Sequence, residues 1–202
     1  IVTMVLTPAV SGLVPVVYSR FWPRRVRETH EATNLPPAGL SEHIVIAGSG
    51  RVGRGVADAL AHMTLPFVLV ESDDRRVQQA RAAGLPVIYG DASQPVVLEA
   101  ARIEHSRLLL ITVPAGAVTQ ALVGQVRRLN PALHIVARSE GVEQMHALHE
   151  QGVHEVVQPE FEAGLEITRQ ALLHLNIPAT EIQRFTDAVR RDLYAPMTET
   201  HH

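Results

Sequence analysis

The residues best placed to do chemistry in this chain begin with glycines. Residues 43–53 read His-Ile-Val-Ile-Ala-Gly-Ser-Gly-Arg-Val-Gly, an apolar run that breaks into Gly48-Ser49-Gly50-Arg51-Val52-Gly53. Gly48 permits a tight turn after a strand. Gly50 carries no Cβ and lets a phosphate approach the backbone, and Gly53 lets the next helix pack closely on the sheet. The N-terminus of that helix directs free N–H groups and a partial positive charge at the phosphate. A second apolar run, Phe67-Val68-Leu69-Val70, closes at Glu71, eighteen residues beyond Gly53. An acid at that place accepts hydrogen bonds from ribose hydroxyls and repels a 2′-phosphate. Its alternative role is that of an acid favoured by the N-terminus of the following helix. Together these features describe a nucleotide site and not just a turn.

Further candidates come from the ends of the other apolar runs. Arg51, inside the loop, can bind a phosphate bidentately or simply be a solvated arginine. Ser72 follows Glu71. Asp91, after Gly90, is either a turn or cap residue or a contact to an adenine edge, with Ala92 beside it. Thr112 and Val113 end a fourth run. Arg138 ends a fifth, either reaching the ligand or neutralising nearby acids. Reaction machinery is scarce. Asp73 and Asp74 are adjacent and face different directions. His146, His149 and His154 have spacing that could hold a metal, but no fixed carboxylate or further ligand accompanies them, and solvated helix histidines are the alternative. No serine sits in a nucleophile elbow, and the chain has no cysteine to serve as nucleophile, thiolate ligand or disulfide. A nucleotide-binding protein that is not an enzyme is the expectation.

The elements that must position these residues alternate. Strands are expected at 43–47, 67–71, 86–89, 107–112, 134–138 and 153–157. Helices are expected at 51–62, 74–82, 95–101, 116–129 and 142–150. Short aliphatic strands separated by helices imply an α/β fold with a parallel sheet covered on both faces. Right-handed crossovers make it a doubly wound, six-stranded Rossmann-like sheet of order 3-2-1-4-5-6, with ligands at the carboxyl ends of its strands. A helix over 160–175 follows the last strand. It either serves a partner subunit or folds back on its own sheet. A polar, peripheral helix over 180–194 comes next.

Composition fits this frame. Aromatic residues make up only 4% of the chain, so the core must be aliphatic, and the net charge of −3 argues against a nucleic-acid surface. Residues 1–18 carry no charge, and Arg20, Arg24, Arg25 and Arg27 then arrive around Phe21 and Trp22. This reads as the end of a transmembrane helix whose beginning was cut off, with its basic flank on the cytoplasmic side. The chain therefore reads as a piece of a longer protein, with His201 and His202 as a possible tag remnant. The expected organisation is a membrane-helix end over 1–22 and a linker over 23–41. A nucleotide-binding domain over 42–157 follows, then a helix over 158–176 and a peripheral helix and tail over 177–202.

The glycine loop with arginine in its fourth position, Val-Leu-Val-Glu71, Tyr-Gly90-Asp91-Ala92-Ser93 and Ile-Val-Ala-Arg138 resemble the RCK-N (TrkA-N, or KTN) domain over about residues 42–175. That family comprises nucleotide-binding regulators of potassium channels and transporters. The upstream Met4-Val5-Leu6-Thr7-Pro8 and arginine-rich linker are similar to the tail of a Kef-like monovalent cation:proton antiporter. The resemblance implies an inner-membrane protein whose cytoplasmic domain binds an adenine nucleotide, AMP or NAD(H) with ADP or ATP as alternatives, and so biases an ion gate. It also implies a homodimer through a crossing helix at 160–175. Residue by residue, Gly48, Ser49, Gly50, Arg51, Val52 and Gly53 would form the phosphate loop. Glu71 and Ser72 would serve the ribose side, and Asp91 and Ala92 the adenine side. Thr112 and Val113 would line the opposite wall, and Arg138 would reach into the cleft. Ser139-Glu140-Gly141 departs from the basic residues of glutathione-gated members, and the chain after 176 is too short for an RCK-C domain. Two other readings remain at this point: a fragment of an NAD-dependent dehydrogenase, and a soluble potassium-uptake regulator.

Overall fold

The computed structural model describes residues 32–35, 39–114 and 116–194. The expected membrane-helix end at 1–22 and much of the linker lie outside them. Among the described residues no helix is long and apolar enough to cross a membrane.

The chain alternates as its sequence implies. A short strand β1 (Ala32–Thr33) comes first. Then follow β2 (His43–Ala47), α1 (Arg51–His62), β3 (Phe67–Glu71), α2 (Asp74–Ala82), β4 (Val87–Tyr89) and α3 (Pro95–Ala100). A 3₁₀ turn at Ile103–His105 leads into β5 (Ser106–Ile111), α4 (Ala117–Leu129), β6 (His134–Arg138), α5 (Val142–Glu150), β7 (Glu155–Val157), α6 (Pro159–His174) and α7 (Ala179–Tyr194). All five residues of β2 and of β3 are buried, as two-sided coverage requires. Alternate side chains feed two aliphatic layers. Val45, Ala47, Val68 and Val70 meet Leu98, Leu122, Val126 and Met145 on one face. Ile44, Ile46 and Leu69 meet Ala57, Val77 and Ala80 on the other.

The sheet has seven strands in the order β1-β4-β3-β2-β5-β6-β7. Its six parallel strands run in the expected 3-2-1-4-5-6 order. The correction is at the edge, where part of the expected linker adds an antiparallel strand, Ala32 pairing with Ile88 and Thr33 with Val87. A two-residue strand has no periodicity to read. It is held by Asn34, whose side-chain amide donates to the carbonyls of Arg81 and Leu85 at 3.3 and 3.2 Å.

The helix after the last strand is lightly attached. Leu165 is its buried residue, while Ile167 is 71% exposed. α7 folds back on it. Arg190 donates to Glu162 Oε2 through Nε and Nη2 at 2.9 and 2.8 Å, and Phe161 meets Tyr194 edge to face. Leu193 and Tyr194 reach the core layer of the sheet.

Candidate functional site

β2 ends at Ala47 and the chain turns at once. Gly48 has φ +101°, where a side chain is strained, and a Cβ there would stand 2.8 Å from Val113 Cγ1. The turn is tied down from the neighbouring strand. Thr112 N donates to Ala47 O at 2.9 Å, and Thr112 Oγ1 lies 3.0 Å from the carbonyl oxygens of both Ala47 and Gly48. Gly53 sits where α1 crosses this turn, and a Cβ on it would collide with Gly48 O and reach 2.6 Å from Thr112 Oγ1. Gly50 is different: a Cβ there would meet no atom within 4 Å. Gly50 is also the N-cap of α1, supplies no capping side chain, and is followed by no acid in the first turn. The helix N-terminus is thus left open to an anion.

The turn and the helix N-terminus border a cleft of about 550 Å³. Gly48, Gly50, Arg51 and Val52 come from the loop, Thr112, Val113 and Pro114 from the end of β5, and Arg138 from the end of β6. Arg76 of α2 and Pro159, Glu160 and Ala163 of α6 complete it. The charged side chains are three arginines and one glutamate, and Glu160 is paired: Arg138 Nη2 lies 2.9 Å from Glu160 Oε1, with Glu140 at 3.9 Å. A different cavity of about 410 Å³ lies at the other end of β5, beside Pro95, Arg102, Ile103 and His105. It contains no residue of the glycine loop.

Glu71 is buried beside the cleft and does not line it. Its carboxylate accepts from four donors of the protein: Ser49 N and Ser49 Oγ at 2.7 and 2.9 Å on Oε2, Ser72 N and Asp73 N at 2.9 Å on Oε1. Arg76 Nη1 stands 3.7 Å from Oε2. The acid therefore stitches the glycine loop to the turn after β3.

Residues 44–159 match the family model of the TrkA-N domain. The chain belongs to the TrkA-N domain family. The TrkA-N chain is 34% identical over 156 residues to a putative K(+) efflux antiporter, KefB, of Alkalimonas amylolytica, a match covering 77% of this chain and 24% of that protein. It thus spans about a quarter of that relative's length. Among solved structures, the TrkA-N domain of the inner membrane protein YbaL from Escherichia coli aligns with TM-score 0.60 and 27% identity, over 67% of this chain and 97% of that one. The C-terminal domain of Kef from Shewanella denitrificans, in AMP-bound form, aligns with TM-score 0.69 and 25% identity, over 78% and 96%.

Within the TrkA-N fold, the sequence-expected residues divide into two groups. Gly48, Gly50, Arg51, Val52, Thr112, Val113 and Arg138 come together in the cleft. Ser49, Gly53, Glu71, Ser72, Asp91 and Ala92 are outside its lining. Asp91 Oδ1 accepts from Ser93 N and Ser93 Oγ, both at 2.8 Å, which is a turn-forming role. Sequence reading missed Arg76, Pro114, Pro159, Glu160 and Ala163. Arg76 was signalled by Asp73, which caps α2 by accepting from Arg76 N and so fixes that arginine in the first turn facing the loop. The α6 residues carried no signal, because their approach depends on where the last helix leaves the sheet. Of the histidines weighed as metal ligands, His149 Nδ1 is 3.0 Å from Val153 O and His154 Nδ1 accepts from Ile135 N at 3.1 Å. Among the described residues no group of three or more potential ligands could hold a metal ion.

Proposed function

We propose that this chain is the cytoplasmic nucleotide-sensing domain of an inner-membrane monovalent cation:proton antiporter, and that an adenine nucleotide in the cleft biases ion transport. The observation that carries the reading is the cleft itself. An uncapped helix N-terminus, open space at Gly50 and the guanidiniums of Arg51, Arg76 and Arg138 converge there. That is the chemistry of a phosphate cradle. The donor set suits a 5′-phosphorylated adenosine. The α1 N-terminus and Arg51 would take the phosphate, and Arg76 and Arg138 would flank it. Ser49 Oγ, the donor on Glu71 that can rotate away, would yield its place to a ribose hydroxyl. AMP is the first choice of ligand, supported by the AMP-bound Kef domain and by the similarity to KefB. NAD(H) is the second.

A sensor fits the cleft better than a catalyst. Among the described residues, its charged lining is three arginines and one ion-paired glutamate, with no nucleophile beside a base. Binding biases a distant gate only if the ligand favours one arrangement of the domain over another. The exposed Ile167 and Leu175, 71% and 66% accessible, support a homodimer through α6, which would carry such a change between two copies. The test is calorimetric titration of the chain with AMP, NAD, NADH, ADP, ATP and NADPH. At least one nucleotide without a 2′-phosphate is expected to bind. A folded chain that binds none of them is not a nucleotide sensor.

A further inference from the structure

Among the described residues, the one cleft residue with a negative charge is also the second residue of α6. Glu160 Oε1 receives Arg138 Nη2 at 2.9 Å, so the last residue of β6 and the first turn of α6 are joined across the space where an anion would sit. This pairing is incomplete on the arginine side. Arg138 Nε is buried and without a hydrogen-bond partner, and Glu140 is a distant second carboxylate at 3.9 Å. A guanidinium has five N–H donors in a fixed fork, and a phosphate offers more acceptor oxygens to it than one carboxylate oxygen does. Glu160 is weakly held by comparison. Its side chain is 63% exposed, and an acid in the first turn of a helix is favoured there with or without a partner.

We propose that Glu160 is a built-in competitor for the ligand's phosphate. It holds Arg138 while the cleft is empty of anions. A phosphate that captures Arg138 breaks the pair, repels the Glu160 carboxylate and frees the first turn of α6 from β6. The inference rests on the nucleotide reading above and adds to it the route by which occupancy reaches the helix that leaves the sheet. The N-cap residue before that turn is tied to the loop after β6, Gln158 Nε2 donating to Glu140 O at 3.3 Å, and to α7, Gln158 N donating to Tyr194 Oη at 3.4 Å. Glu162 is committed to Arg190 of α7, so α6 and α7 would shift as a pair. Glu160 is thus a positioning residue, acting through Arg138 and not through the ligand.

The competition is read by comparing a phosphorylated ligand with the same ligand lacking its phosphate. AMP and adenosine are titrated calorimetrically into the 202-residue chain and its Glu160→Gln variant, with Glu162→Gln as control. Amide hydrogen exchange is followed over residues 159–165. Glu160→Gln is expected to tighten AMP binding about 3–10-fold, the scale of one partly screened charge interaction, and to leave adenosine unchanged. AMP, but not adenosine, is expected to speed exchange in the first turn of α6 of the wild-type chain. The variant should show that faster exchange without ligand, and Glu162→Gln should bind AMP as wild type does. Unchanged or weaker AMP binding by Glu160→Gln overturns the competition, as does an equal gain for adenosine. So does AMP binding that leaves α6 exchange unaltered, and each of these outcomes leaves the nucleotide reading intact. No AMP binding by any of the three proteins overturns the inference, and the nucleotide reading falls with it only if NAD, NADH, ADP and ATP also fail to bind.

Discussion

Glu71 accepts from four donors of the protein itself, and three of these are backbone N–H groups at the turns around it. Glu71→Ala strands those donors in a buried place. It should destabilise the domain by about 1–3 kcal/mol, measured as a lower urea midpoint in the absence of nucleotide. A variant as stable as wild type would show that the carboxylate has no such role. An acid at a strand end after a glycine loop is legible in sequence. That its oxygens are already engaged is not, because the donors include the loop residue Ser49, brought back across the sheet. His43 is a second case. Its Nε2 lies 2.8 Å from Ala101 O, and its Nδ1 is buried without a partner. Burial pushes its pKa below the ordinary value, and Arg102 and His105 push the same way. The Ala101 carbonyl and Glu42 oppose them. A depressed imidazole favours the neutral ring, so its stability contribution is full above about pH 6.5 and is lost as pH falls below that toward the folded-state value. Melting temperature should therefore drop further between pH 7.5 and 5 in wild type than in His43→Gln. Parallel pH profiles would exclude His43 as the source.

At the scale of elements, β2 and β3 were readable because each is an aliphatic run, closed by a glycine turn in one case and an acid in the other, and burial on both faces demands that pattern. The helix starts were readable from Gly50, Asp73, Pro95 and Pro159. The edge strand β1 was not. Ala32 and Thr33 gain their place from Asn34, whose hydrogen bonds lie 47 and 51 residues away in the chain. The role of α6 was left open by its sequence, since an apolar helix after the last strand can cover its own sheet or another subunit. In the structure it buries Leu165 and leaves Ile167 exposed, while α7 covers part of it through Glu162–Arg190. If α6 is a dimer helix, Ile167→Asp should convert the chain from dimer to monomer in sedimentation without lowering its helical content. A wild-type chain that sediments as a monomer at tens of micromolar would remove the dimer, and a variant that stays dimeric would place the contact elsewhere.

For the whole molecule, the site follows from topology. β2 and β5 are neighbours whose connections leave in opposite directions, so the loops after them part and open a crevice at their carboxyl ends. That position was expected from the strand order. The cleft's far wall was not, because α6 closes it from beyond β7, and no local pattern announces where a terminal helix will lie. The functional reading rests on this crevice holding the phosphate of an adenine nucleotide at Gly50. Gly50 lies at φ −64° and ψ −169°, which any residue adopts, and a Cβ there touches nothing within 4 Å. Gly50→Ala should therefore leave folding stability within about 1 kcal/mol of wild type, while placing a methyl group where the phosphate must approach. The decisive measurement is a calorimetric titration of wild type and Gly50→Ala with AMP, alongside their urea midpoints. Saturable binding by wild type is expected, with at least a tenfold loss of affinity, about 1.4 kcal/mol, in an equally stable variant. Equal AMP affinity in the two proteins, or no binding by the folded wild-type chain, would contradict it.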